Sequence, residues 1–337
     1  MAMPAAGDGT EERLAFLGDP ASYPDRPTSV QRLDTHMAWV FLAGAHAWKL
    51  KRPVRYPFLD FSTIELRRRD CEAELRLNRR LAPDVYLGVV PLIRRTDGRL
   101  RLGGDGEPVD WLVQMRRLDA MLFLDRLIAR GSVPEAALRS AARLLAGFYR
   151  SAPPSLLTPE ESLDDLRRRT RDTLASLAAA VPDLPADDVA LLARRLEQAL
   201  ASLAPLLLER AAGGRIVEGH GDLRPEHVWL GEPPAIIDCL EFDEALRLLD
   251  PLDELAFLGL ETDLLGGTTV GPAFLAVYRE ITGDPAPATL LAFYRARRAT
   301  LRAKLMAWHI SEPGRHGPGH WRTRSRVYLH AALAALG

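Results

Sequence analysis

The sequence predicts an α+β fold in two lobes, a small β-rich one followed by a large helical one. Three observations carry the prediction. The first third alternates apolar and polar residues in short runs around one charged helix. The remainder is helical by its 3.6-residue apolar spacing. A short β island, near residues 215–237, interrupts those helices, and the order of elements is not the βαβ alternation of a parallel sheet. Two lobes with a cleft between them are expected from this order.

Residues 1–27 are rich in Ala, Gly, Pro and acids, and read as a loose lead-in with one short helix around Leu14–Leu17. The β-rich lobe is placed at 28–116. Between Val30 and Arg52, two apolar-alternating runs meet at a short glycine-containing turn, which is a hairpin signature. Ser62 and Glu65 are spaced as a capping box opening a charged helix that ends before Pro83. Strands follow at 85–93, 99–102 and 109–115, punctuated by Thr96-Asp97-Gly98 and Gly103–Gly106. The helical lobe is placed at 117–337. Its helices are expected at 119–130, 134–150, 160–180, 186–212, 250–264, 270–281, 287–310 and 322–335. Pro134 sits at a favourable first-turn position, and Gly213-Gly214 stops the fourth of these helices.

Composition narrows the functional classes. The 337 residues are 47% hydrophobic and 26% charged, as in an ordinary globular protein. Forty-four basic against 45 acidic residues leave a net charge of −1, so a nucleic acid is not the expected partner. Cys71 and Cys239 cannot build a disulfide framework, and no apolar run approaches a membrane span. The opening MAMPAAGDGTEERL has neither the basic nor the apolar region of a signal peptide. A cytoplasmic protein without membrane contact is expected.

The β island reads EGHGDLRPEHVWLGEPPAIIDCLEFD, with His220, Gly221 and Asp222 in a loop and Asp238 sixteen residues further on, after an apolar pair. Phosphoryl transfer needs one carboxylate to take the acceptor hydroxyl's proton and another to hold a metal against the phosphates, both rigidly placed. A strand–loop–strand unit ending in an acid supplies such a frame, with Asp222 as base and Asp238 as metal ligand. Taken alone, HGD is a weak signal, since Asp is common in turns for capping reasons.

HGDLRPEHV, then IIDCLEFD, then LLDPLDELA together resemble the aminoglycoside phosphotransferase superfamily, over nearly the whole chain. That superfamily carries HGD-x-x-x-x-N, an apolar-apolar-Asp element and a D-P-x-x-D-L-A helix start. The first third resembles an uncharacterised branch often fused to a P-loop ATPase domain. No Walker A motif occurs here, so the chain would be the phosphotransferase half. The resemblance implies a protein-kinase-like fold and transfer of the γ-phosphoryl group of ATP, with Mg2+ or Mn2+, to a small hydroxylated acceptor. His227 stands where the superfamily has a metal-binding Asn. Imidazole can ligate a divalent ion, but magnesium prefers oxygen, so His227 could favour manganese or hold the loop instead.

Such a lobe also needs a strand lysine and a helix glutamate. Lys49 and Lys51 share a strand face, and the A-x-K pattern selects Lys49 with Lys51 in reserve. Glu74 is preferred to Glu72 as its partner; the neighbouring Arg67-Arg68-Arg69 reads as an exposed face. The phosphate-covering turn is expected near Leu33–His36, with Thr35 as contact, and the adenine linker at Gln114, Met115, Arg116 and Leu118. Asp250 opens a helix as cap before Pro251, and the resemblance gives it the task of bracing the catalytic loop. Glu241 and Asp243 could assist metal or an amine-bearing acceptor, or be solvated turn acids. Two rival readings remain, a nucleotide-binding regulatory module without turnover and a nucleotidyl transferase on the same fold.

Overall fold

The computed structural model describes residues 9–56, 59–180, 183–311 and 317–337, and the side chains of all of these except Ser311. In chain order, the first part holds α1 (Thr10–Gly18), β1 (Val30–Asp34), β2 (Ala38–Ala43), β3 (His46–Lys51), β4 (Arg55–Tyr56), β5 (Leu59–Asp60), α2 (Ile64–Asn78), β6 (Tyr86–Arg94), β7 (Leu100–Leu102) and β8 (Glu107–Arg116). Then come α3 (Leu124–Ala129), α4 (Glu135–Ser151), α5 (Pro159–Ala179) and α6 (Ala186–Ala212), followed by the short strands β9 (Val217–Glu218), β10 (Val228–Trp229), β11 (Ala235–Ile236) and β12 (Leu248–Leu249). The chain ends with α7 (Pro251–Leu264), α8 (Val270–Thr282), α9 (Ala288–Trp308) and α10 (Pro318–Ala335). Two compact units result, one of residues 1–126 with 227–246, the other of 127–226 with 247–337. The fold is α+β and protein-kinase-like, a β-rich unit and a helical one.

In the first unit, a six-stranded antiparallel sheet runs in the order β1-β2-β3-β8-β6-β7. Gly44, at φ 59°, makes the tight β2–β3 turn that the sequence marks. One sheet face packs Trp39, Phe41, Trp48, Leu50, Leu92 and Leu112 against Leu17 and Tyr23. The supposed loose lead-in is therefore tied down over its described part, because Leu17 gains a full apolar contact surface there. Arg13 reinforces it by pairing with the buried Asp110 at 3.3 Å.

The other face of the sheet takes α2. Its cap is one residue later than expected: Thr63 accepts from the Leu66 N–H at 3.2 Å, while the Ser62 hydroxyl donates to Asp60. Arg67 is not on an exposed face. It is 2% exposed and forms a fork with Asp110 at 2.9 and 3.0 Å, fixing α2 to β8.

In the second unit, α4 packs on α8, α5 on α6, and α7 on α9, with α9 against α10. Residues 251–262 of α7 are all buried, so this helix is the centre of its unit. Gly271 lets α8 approach it, since a Cβ there would lie 2.8 Å from the Gly259 Cα. Among the described residues no helix is long and apolar enough to cross a membrane.

Candidate active site

In the first unit, the chemistry starts from one face of α2. Asp70, Glu74 and Asn78 recur at four-residue intervals and are all buried. Strand β3 presents its two lysines to that face. Lys49 Nζ donates to Glu74 Oε1 at 2.8 Å and to Asp238 Oδ1 at 2.9 Å. Lys51 Nζ donates to Glu74 Oε2 at 2.7 Å and Glu241 Oε1 at 2.6 Å, and also pairs with Asp70. Glu74 is thus shared, one oxygen to each lysine. Lys49 keeps 16% of its side chain in solvent and Lys51 only 1%. Burial is the strongest single influence on both ammonium groups and pushes them down. The surrounding carboxylates outweigh it, led by Asp238 for Lys49 and by Glu241 for Lys51, and hold both well above the usual lysine range.

Asp238 follows the β10–β11 hairpin, whose pairing of Val228 with Ile236 brings His227 beside it. The Ile237 N–H donates to the His227 carbonyl at 2.9 Å, and His227 Nε2 lies 3.5 Å from Asp238 Oδ2. Asp238 sits at φ 61° with its side chain 47% exposed. Its N–H donates to Tyr86 Oη at 3.1 Å, and the Cys239 N–H to Asn78 Oδ1 at 2.9 Å. Burial, then the charges of Glu74 and Asp238, raise the Tyr86 hydroxyl well above the usual tyrosine range, so it stays neutral. An exposed carboxylate beside an imidazole fits a divalent cation. Asp238 suits magnesium through oxygen, and His227 extends the set towards manganese.

The remaining first-unit candidates are placed as follows. Thr35 lies in the β1–β2 turn, its hydroxyl donating to the Ala38 carbonyl and accepting from the Ala38 N–H, both at 2.9 Å. Met115 is buried on β8 with Ala47, Val85, Tyr86 and Trp229. The Arg116 guanidinium lies 5.3 Å from the centre of the Trp229 ring. Asp243 caps a turn, accepting from the Ala245 N–H at 2.9 Å, whereas Glu241 is bound into the lysine cluster and is no solvated turn acid.

In the second unit, the HGD loop is bound from beneath by α7. Glu254 accepts from the backbone N–H groups of His220 (Oε2, 3.0 Å) and Gly221 (Oε1), and from Tyr149 Oη at 2.6 Å. Gly219 leaves room for this carboxylate, since a Cβ there would lie 2.6 Å from Glu254 Oε2 and 2.9 Å from Leu249 Cδ1 and force one of them to move. Burial raises the Glu254 carboxyl above the usual range, against these hydrogen bonds and the Arg298 charge. Arg298 donates to the Gly221 carbonyl at 3.2 Å and pairs with Asp253 at 2.8 Å. His220 is wholly buried, and its Nδ1 accepts the Asp222 N–H at 3.3 Å. The Asp222 carboxylate remains 34% exposed, with Arg224 Nε donating to Oδ2 at 3.0 Å.

The bracing task expected of Asp250 falls to Glu254, with Asp253 acting through Arg298. Asp250 does cap α7, accepting from Leu252 N–H at 3.0 Å, but its carboxylate is otherwise taken by Arg210 at 2.5 and 2.8 Å. Sequence reasoning passed over Glu254, Tyr149, Tyr86 and Asn78. One signal was available for Glu254: an acid set in the apolar stretch Leu252–Leu260 of a helix calls for a buried partner.

The family model described as "phosphotransferase enzyme family" matches residues 58–293, more than half of the chain. Uncharacterized proteins of Mycobacterium tuberculosis and Mycobacterium bovis are 38% identical over 286 residues, covering 83% of this chain. The chain spans only 55% of the length of these relatives. Among solved structures, choline kinase from Cryptosporidium parvum Iowa II is similar at TM-score 0.57 and 9% identity, covering 96% of this chain and 95% of that one. The GDP complex of aminoglycoside 2'-phosphotransferase-IIIa is similar at TM-score 0.52 and 15% identity, covering 96% and 98%. Plasmodium vivax ethanolamine kinase is similar at 0.53 and 11%, covering 90% and 81%. These likenesses share the fold, and the matched family model identifies the lineage: the chain belongs to the phosphotransferase enzyme family.

Proposed function

We propose that the protein is an ATP-dependent phosphotransferase that moves the γ-phosphoryl group to a hydroxyl of a small molecule. The observation that carries this reading is the Lys49–Glu74 pair with Asp238 on the same ammonium, in a chain of this family. In the proposed mechanism, Lys49, oriented by Glu74, binds the α- and β-phosphates. Asp238 and His227 would hold a divalent ion, which when bound neutralises phosphate charge. Asp222 orients the acceptor hydroxyl and takes its proton. An exposed carboxylate on a loop fixed through its backbone can do this without losing its geometry. His220 acts as a positioning residue, since it is buried and bonded to the Asp222 N–H. The backbone near Met115 and Arg116 is proposed to carry the adenine contacts, and the Thr35 turn to face phosphate.

The acceptor is proposed as a small alcohol, in keeping with the aminoglycoside, choline and ethanolamine kinases that share the fold. That the chain is one half of a longer design with a P-loop ATPase domain rests on the branch resemblance and the greater length of the relatives. The test is nucleoside diphosphate formation from ATP, with GTP in parallel, over a panel of hydroxyl compounds with Mg2+ or Mn2+. Acceptor-dependent ADP release that disappears in Asp222→Ala supports the reading. Pyrophosphate release in place of ADP overturns it in favour of a nucleotidyl transferase. Binding of ATP with no turnover for any acceptor makes the protein a regulatory module.

A further inference from the structure

Lys51 is sealed among carboxylates. Its ammonium donates to Glu74 and Glu241, and Asp70 lies against it as a third ion pair. These residues come from α2 and from the segment after Asp238, so one buried cation on β3 ties three stretches of chain together. That segment needs tying. Asp238 adopts φ 61°, a left-handed conformation that a non-glycine residue keeps only where its surroundings fix it. Two neutral hydrogen bonds, to Tyr86 and Asn78, hold its near end. The ion pair from Lys51 to Glu241 holds its far end.

We propose that Lys51 is a positioning residue for Asp238, holding the segment Asp238–Glu241 against α2 and fixing the rotamer of the Glu74 carboxylate that Lys49 also uses. The metal consequence rests on the reading of Asp238 as a ligand; the positioning itself does not. Without Lys51, three carboxylates whose oxygens lie within 4.8 Å of one another would face each other with only Lys49, on Glu74, to balance them. Glu241, with 11% of its side chain exposed against 9% for Asp70 and 0% for Glu74, is the one best able to swing outwards. It would draw Asp238 out of register.

The experiment compares the full chain with Lys51→Met, Glu241→Gln and the Lys51→Met/Glu241→Met pair. Two quantities are read: hydrogen exchange of the peptide 236–242, and Mn2+ affinity in the presence of ATP from the electron paramagnetic resonance of free Mn2+. Exchange faster by about tenfold or more is expected in both single variants. Mn2+ binding should weaken by about 10–100-fold, as when a support behind a metal ligand is removed. The double variant should be no worse than Lys51→Met alone. If Lys51→Met does not fold, Glu241→Gln decides, its side chain being replaced by one of equal size. A folded Glu241→Gln protein with unchanged exchange at 236–242 overturns the proposal. Faster exchange in a protein whose wild type binds no Mn2+ upholds the positioning and removes the metal reading of Asp238 instead.

Discussion

The two acids that the sequence singles out are supported in opposite ways. In the first unit, Asp238 is held by ionic side chains, with Lys49 and Lys51 sharing Glu74 between them. In the second, the loop bearing Asp222 is held by its backbone, whose N–H groups at His220 and Gly221 end on one buried carboxylate. Both arrangements leave the candidate carboxylate partly in solvent, 47% and 34% exposed, and bury the supports, Glu74 and Glu254, completely. The difference lies in what a substitution should break. Charges that fix charges are sensitive to removing either sign, whereas a backbone anchor is sensitive only to losing its acceptor.

The largest expected effect sharpens the contrast between acid and support. Asp222→Ala should lower turnover by about 10²–10⁴-fold, as for loss of a general base, while the melting temperature stays within about 2 °C. Next comes Glu74→Ala, which removes the carboxylate shared by Lys49 and the buried Lys51 and should cost about 3–5 kcal/mol in urea unfolding, as for a broken buried pair. An effect below about 1 kcal/mol would show that the two lysines re-pair with Asp70, Asp238 and Glu241, making the ionic frame less brittle than argued. Glu254→Gln keeps one acceptor oxygen and should cost less, about 2 kcal/mol, with faster exchange at the amides of His220 and Gly221.

A pH titration tests a third buried acid. Asp284 accepts from Arg210 at 2.7 and 2.9 Å and from Tyr278 at 2.8 Å. Burial pushes its carboxyl up, but these donors prevail and hold it at about 2, below the ordinary 3.8. A folded value below the unfolded one stabilises the protein above roughly pH 4 and is lost as pH falls through about 2, a difference of about 2 kcal/mol. Glu254 runs the other way: its value is raised, so its contribution is lost as pH rises, and acid relieves it. The acid limb of stability should therefore be shallower than Asp284 alone implies, and Asp284→Asn should flatten it further. The smallest effect is expected at the α5 capping box, where Thr158 and Glu161 exchange hydrogen bonds at the surface; Thr158→Ala should cost about 1 kcal/mol.

Much of this molecule could be read from local patterns. The β2–β3 hairpin follows from alternation and Gly44, and α7 begins at the Asp250-Pro251 that marks it. Lys49 and Glu74 were picked from a strand and a helix 25 residues apart, and they lie 2.8 Å apart. Misreadings fell where a charged residue leaves the surface. Arg67, read as one of three solvated arginines, forks onto Asp110, a partner 43 residues away that no window of local sequence contains. Glu241 lost its reading as a free acid for the same reason, its partner Lys51 lying 190 residues upstream. The resemblance credited Asp250 with the bracing done by Glu254; Asp250 is instead taken by Arg210, a partner 40 residues upstream.

By itself the sequence determined the elements, their order, and which acids and lysines were candidates, since periodicity, caps and turn residues act over a few positions. The tertiary structure decided which charges are paired. Pairing depends on which faces of distant elements are pressed together and dried, and a buried charge takes whatever opposite charge the packing brings within reach. For that reason Lys49 and Lys51, two residues apart and alike in sequence, end in different circumstances, one partly open to solvent and the other sealed among three carboxylates.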